Sequence, residues 1–140
     1  MPNCNNAFSQ QLMPAQQVND FFAAKLASET DCSDVYADIT QGSKNYILLD
    51  VRAKEAFEKS HAITAVNIPH SEINTESLAK YTKDTLFVVY CWGPGCNGAA
   101  KAAVNISALG YGVKEMLGGI HYWKDFERYP VNRRVNDPQK

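Results

Sequence analysis

The sequence predicts an α/β fold, a three-layer sandwich with a mainly parallel central sheet and helices on both faces. Two observations carry that prediction. Short runs rich in β-branched and aromatic residues, around Ile47–Val51 and Leu86–Tyr90, alternate along the chain with stretches of helical periodicity. The second run stops at Cys91 and is followed by WGPGCNG before a helical pattern begins. In open α/β sheets a ligand site lies beyond the carboxyl ends of the strands, and Cys91 is at such an end.

Each element has its own reason. In PAQQVNDFFAAKLAS, Val18, Phe21, Phe22 and Leu26 share one helical face and Pro14 suits the first turn, which predicts a helix covering the core. DCSDVYADITQG reads as a short helix capped by Asp31 or Ser33, with Gly42 just past its end. NYILLDV has the pattern of a buried strand. RAKEAFEKS then fits one or two helical turns, AVNIP a short strand halted by Pro69, and NTESLAKYT another short helix. After the strand Leu86–Tyr90, Ala99, Ala102, Ala103, Ile106 and Leu109 recur at helical spacing, which predicts a helix over Asn97–Leu109 ended by GYG. VKEML is the expected last strand, followed by a turn at Gly118 and Gly119 and a final aromatic-rich helix from near Ile120.

At 140 residues the chain fits one domain, expected over 13–130 between a loosely held arm, 1–12, and a polar tail, 131–140. With 45% hydrophobic and 21% charged residues and a formal net charge of -1, nothing supplies a broad attraction for nucleic acid or a membrane surface, and neither is expected as a partner. Asn132–Arg134 reads as a solvated end. No basic region followed by a long apolar one begins the sequence, so neither a secretory signal nor a membrane anchor is visible, and a cytoplasmic location is expected. The four cysteines, Cys4, Cys32, Cys91 and Cys96, are too few and scattered for a disulfide framework, which points to thiols. Cys91 and Cys96 make one potential ligand pair for zinc, but Cys4, Cys32, His61, His70 and His121 offer no second pair at a suitable spacing. No metal or cofactor is expected. Four residues rather than two separate Cys91 from Cys96, which fits thioredoxin-like chemistry poorly.

Three ordered motifs carry a family resemblance: LLDVRAKEAFEKSHAITAVNIP (Leu48–Pro69), VVYC with its glycine-rich loop (Val88–Gly98), and LGYGVKEMLGGIHYW (Leu109–Trp123). In these the sequence resembles the rhodanese-like family. The resemblance implies a single-domain sulfurtransferase whose catalytic thiol, by position, is Cys91, taking up a sulfane sulfur as a persulfide and passing it to a thiophilic acceptor. A small sulfur donor, a thiol or cyanide acceptor, and a protein acceptor are the partners implied. Asp50 and Arg52 match the acidic and basic positions of the first motif, where the resemblance suggests a supporting ion pair. His61 matches its histidine, expected to order a turn.

Loop chemistry supports Cys91 independently. Thiolates are favoured where a helix N-terminus and backbone amides converge, and the amides of Trp92, Gly93, Gly95, Cys96, Asn97 and Gly98 are available to hold an anionic persulfide. The alternative for Cys91 is a small buried hydrophobe at a strand end. No basic side chain lies between Cys91 and Gly98, which makes the thiosulfate dianion a poor donor and favours a persulfide on a small thiol or a protein. Phosphatase-like or arsenate reductase-like chemistry needs an arginine at the loop's end, where Cys96 and Asn97 stand; Arg52 substitutes only if the fold turns it into the loop. A non-enzymatic persulfide carrier or regulatory binding module is the other alternative. Cys96 is either a resolving thiol that attacks a persulfide or sulfenic acid on Cys91, or a small side chain fitting a crowded loop.

Overall fold

The computed structural model describes residues 5–133. In chain order the elements are α1 (Ala15–Ser28), β1 (Glu29–Asp31), α2 (Cys32–Gln41), β2 (Ile47–Asp50), α3 (Lys54–Lys59), β3 (His61–Ala62), β4 (Val66–Asn67), β5 (Leu86–Tyr90), α4 (Gly98–Ala108), β6 (Gly112–Leu117) and β7 (Val131–Asn132). A 3-10 turn at His70–Glu72 and a π-helical turn at His121–Phe126 complete them. The central sheet has five strands in the order β1-β6-β5-β2-β4, and every neighbouring pair in it is parallel.

Side chains alternate across the central strands because successive Cβ atoms point to opposite faces. Leu49, Phe87, Val89 and Cys91 therefore join Ala99, Ala102 and Ile106 of α4 in one apolar layer. Leu48, Val88 and Tyr90 join Cys32, Val35, Met116, Ile120 and Trp123 in the other. Helices on both faces and a parallel sheet between them are the architecture that the sequence predicts.

The cap residues act as read. The Asp31 side chain accepts the Asp34 amide at 2.8 Å at the start of α2, which selects Asp31 over Ser33, and Gly42 closes the helix in the left-handed region at φ 71°. Three expectations need correction. Helix α1 forms, yet none of its residues is buried, and Phe21, Phe22 and Leu26 are 59%, 51% and 73% exposed. It meets the sheet mainly at β1, the edge strand, and its neighbour β6, and its apolar face is left uncovered. The segment NTESLAKYT is a run of turns rather than a helix: Leu78 donates its amide to Asn74 O, but Ala79 and Tyr81 bond three residues back, to Glu76 O and Leu78 O. Buried Leu78 anchors these turns. Finally, VKEML is not the last strand, since β7 pairs antiparallel with β3.

Strand β1 has no signal in the sequence. Glu-Thr-Asp is polar, and it joins the sheet only because Glu29, Thr30 and Asp31 lie opposite Glu115, Met116 and Leu117. Of the terminal segments, residues 1–4 with Cys4, and 134–140 with Arg134, lie outside the described residues. Val131 and Asn132, read as part of the tail, carry the β7 pairing.

Candidate active site

Cys91 follows directly on β5, on the face covered by α4, and only 6% of it is exposed. The loop from Trp92 to Asn97 turns back on itself through a 3.0 Å hydrogen bond from the Cys96 amide to Gly93 O. This turn carries Cys96 Sγ to 2.7 Å from Cys91 Sγ; both are free thiols. The Gly98 amide, at the first residue of α4, donates to Cys96 Sγ at 3.4 Å. Two of the amides expected to face Cys91, those of Cys96 and Gly98, are thus engaged elsewhere in the loop. Asn97 is the residue before the helix; its side chain is exposed and makes no cap bond.

Glycine is required at two points around the sulfur. A Cβ on Gly98 would lie 2.7 Å from Cys91 Sγ and 3.2 Å from His70 Cδ2, so the thiol and the His70 ring fill the space a side chain would need. A Cβ on Gly119 would lie 2.5 Å from Cys91 O and 2.8 Å from Gly93 N. Gly119, at φ 58°, packs flush against the backbone of the loop. On either side of that contact Ile120 N donates to Cys91 O at 3.0 Å and His121 N to Trp92 O at 2.9 Å. The segment after β6 therefore clamps the start of the loop by main-chain bonds. Gly95, by contrast, has open space where a Cβ would stand, and no steric need to be glycine.

Asp50 and Arg52, expected to form a supporting ion pair, do pair with each other, and Arg52 reaches the first residue of the loop. The Arg52 guanidinium binds Asp50 Oδ2 at 2.7 Å and Ser60 O at 2.6 Å, and both ion-pair partners are buried. Its Cζ lies over the exposed Trp92 ring, 4.8 Å from the ring centre. Burial alone would weaken the hold of Arg52 on its proton; the hydrogen bonds and charge of Asp50 reverse this and raise its pKa. Arg52 is thus held by Asp50 and Ser60 and meets the loop at the Trp92 ring. His61 stacks on Phe57, ring centres 3.6 Å apart, and its Nδ1 meets Phe57 O at 2.7 Å, which ties the end of α3 to β3.

A cleft of about 550 Å³ opens beside the two thiols, lined among others by Cys32, Cys91, Cys96, Met116 and Tyr122. Three carboxylates, Asp31, Glu115 and Glu127, also line it, and no Lys, Arg or His does. Burial, then the charge of Glu29, pushes the Glu115 carboxyl up. Within the sulfur pair, burial first and the bond to Cys96 second push the Cys91 thiol up to about 12. Cys96 moves the other way: burial would raise it, but the bonds from Cys91 and from the Gly98 and Trp92 amides, with the charge of Lys101, bring it down. The two shifts run in opposite directions, so of the pair Cys96 is the sulfur that gives up its proton more readily. Among the described residues no group of three or more His, Cys, Asp or Glu side chains is close enough together to hold a metal ion.

Sequence reasoning missed His70, Gly119, Cys32 and the carboxylate lining. For Gly119 a signal existed in the GG pair; for the others none did, because Cys32 and the carboxylates reach the cleft, and His70 the side of Gly98, from segments distant in sequence.

The rhodanese-like domain family matches residues 33–126 of the chain. A solved structure of a protein from Bacillus halodurans is 39% identical to it, with a TM-score of 0.81 covering 86% of this chain and 87% of that one. A rhodanese-related protein from Thermoplasma volcanium is 30% identical, with a TM-score of 0.63 covering 75% and 97%. Of curated proteins, an adenylyltransferase and sulfurtransferase from Candida albicans is 30% identical over 99 residues, 64% of this chain and 22% of that protein. The chain spans between 17% and 34% of the length of the curated relatives it matches.

Proposed function

The chain belongs to the rhodanese-like domain family, and from that membership we propose that it is a sulfurtransferase in which Cys91 carries the transferred sulfur. Cys91 attacks the outer sulfur of a persulfide donor, the S–S bond breaks, and the donor leaves as a thiolate. The proton of Cys91 passes to Cys96, an adjacent base that activates the nucleophile. A thiol or cyanide acceptor then removes the outer sulfur and restores the Cys91 thiolate.

The observation that carries this reading is a strand-end thiol held 2.7 Å from a second sulfur at the base of an open cleft. The carboxylate lining supports a particular class of donor. An acid-lined cleft repels a dianion such as thiosulfate, so the reading favours a persulfide on a small thiol or on a protein. Asp50 and Arg52 act as positioning residues through Trp92, and His61 orders the turn after α3. Chemistry on phosphate or arsenate finds no support here, since Arg52 is bound to Asp50 and Ser60.

Exposure of the purified chain to glutathione persulfide, with peptide mass spectrometry, tests the reading. A gain of one sulfur on the Cys91 peptide is expected, and Cys91→Ser should fold and neither load nor transfer sulfur to cyanide. Transfer retained in that variant removes Cys91 from the role. Loading without turnover on cyanide or thiols would make the chain a carrier rather than an enzyme.

A further inference from the structure

The position of Cys96 has a use that sulfur transfer to an external acceptor does not need. We infer that Cys96 is an internal acceptor: it attacks the persulfide on Cys91 and releases the sulfur as hydrosulfide, so that the protein reduces persulfides as well as relaying them. This rests on the reading of Cys91 as the sulfur-carrying thiol.

The chemistry balances within the loop. Cys96 first passes the proton it took from Cys91 to the departing donor thiolate; its own thiolate then attacks the inner sulfur of Cys91–S–SH, forming a Cys91–Cys96 disulfide and expelling HS⁻. The sulfane sulfur gains two electrons, and the two cysteine sulfurs lose them. A small thiol or dithiol reductant of the surroundings then reduces the disulfide and returns both cysteines to their starting state.

Three features of the loop favour this path. The sulfurs are 2.7 Å apart, and a disulfide bond is roughly 2.05 Å, so bond formation asks little movement of the backbone. The turn that brings them together is closed by the Cys96 amide and Gly93 O, and the Gly98 amide bonds Cys96 Sγ, the atom that must act as nucleophile. Gly98 lets the main chain at the start of α4 approach Cys91 Sγ, since a Cβ there would lie 2.7 Å from the sulfur. The exit is suited to the product as well. Asp31, Glu115 and Glu127 line the cleft outside the pair, and their charge disfavours retention of HS⁻. Cys32 lines the same cleft but is not a competing acceptor, because its Sγ lies 3.6 Å and 3.7 Å from the carbonyl oxygens of Leu117 and Gly119, which hold its proton in place.

The test uses the full chain with glutathione persulfide as the probe, followed over time at several glutathione concentrations and quenched with an alkylating agent. In a single turnover, with protein in excess over persulfide, wild-type protein should release sulfide at a rate independent of glutathione, with a Cys91–Cys96 crosslinked peptide formed in step. Cys96→Ser should load Cys91 more slowly, for want of the base, and once loaded should hold the persulfide and release sulfide only in proportion to added glutathione. A wild-type chain that holds a persulfide on Cys91 with no crosslink, or whose sulfide release follows glutathione as in Cys96→Ser, overturns the inference and leaves sulfur transfer by Cys91 standing. A chain that loads no sulfur on Cys91 in either form overturns the underlying reading instead. Should Cys96→Ser load poorly, the glutathione dependence of the wild type and its crosslink decide the question without it.

Discussion

Cys91, after β5, and Cys32, at the start of α2, line the same cleft, and burial drives the thiol pKa of each up to about 12. Their neighbours differ in kind. Cys32 lies against two carbonyl oxygens, which accept its proton and keep it there, with the charges of Asp31 and Glu127 adding to the push. Cys91 lies against a second sulfur that can take its proton, and the Trp92 amide favours the charge this leaves on Cys91. Burial alone therefore does not separate a structural thiol from a reactive one. What separates them is whether the groups around the sulfur accept a proton or supply hydrogen bonds to an anion.

The largest effect that sharpens this contrast comes from removing each sulfur in turn. Cys91→Ser should abolish sulfur loading, whereas Cys32→Ser should load normally and lose about 1–2 kcal/mol of stability through a more polar group in an apolar layer. Mass spectrometry of loaded protein and urea denaturation read the two outcomes, and loss of loading in Cys32→Ser would erase the distinction.

A somewhat smaller effect is expected from Gly98→Ala. Helix propensity alone predicts a gain of up to about 1 kcal/mol at this position. The Cβ that would sit 2.7 Å from Cys91 Sγ predicts the reverse, a loss of about 1–2 kcal/mol and a fall of roughly tenfold or more in transfer rate. A more stable, equally active variant would show that the sulfur pair does not need this space.

Dependence on pH gives a smaller signal. Cys32 has a folded pKa of about 12, above that of a free thiol, so folding favours its protonated form. The stability this contributes is fully present below the unfolded thiol pKa, roughly 8.5, and is lost as pH rises towards about 12. Urea midpoints should fall over that window, and Cys32→Ala should flatten the fall. Part of the slope remains in the variant, because burial also raises Cys91 and, with help from Asp38 and Asp50 respectively, Tyr46 and Tyr90. An unchanged slope in Cys32→Ala would mean that its proton is held no more tightly in the fold than outside it.

The smallest effect concerns donor choice. Asn97→Arg places a cation at an exposed position beside the loop and should lower the Michaelis constant for thiosulfate by about three- to tenfold. The constant for an uncharged persulfide donor should stay where it is; an equal change for both would mean that charge does not set donor preference.

Much of this molecule is legible in its residues before any tertiary contact is known. The strands Ile47–Asp50 and Leu86–Tyr90 declare themselves because both faces of a central parallel strand are buried, which gives runs of mainly apolar residues, Asp50 excepted. Helix α2 is readable because its caps are local: Asp31 and Gly42 each act within a few residues. The strand-end position of Cys91 and the curled, glycine-rich loop after it follow from the same local rules. Interactions across the fold are not written locally. Polar Glu29–Asp31 becomes a strand because β6 offers an open edge, and the apolar face of α1 stays exposed because the helix meets the sheet mainly at that edge. The pairing of Cys96 with Cys91, the clamp of Gly119, Ile120 and His121 on the loop, and the carboxylates that line the cleft arise where separate segments converge. Sequence periodicity reports which side of its own element a residue faces; which partner waits on that side is decided by packing, and the chemistry of the two thiols depends on that partner.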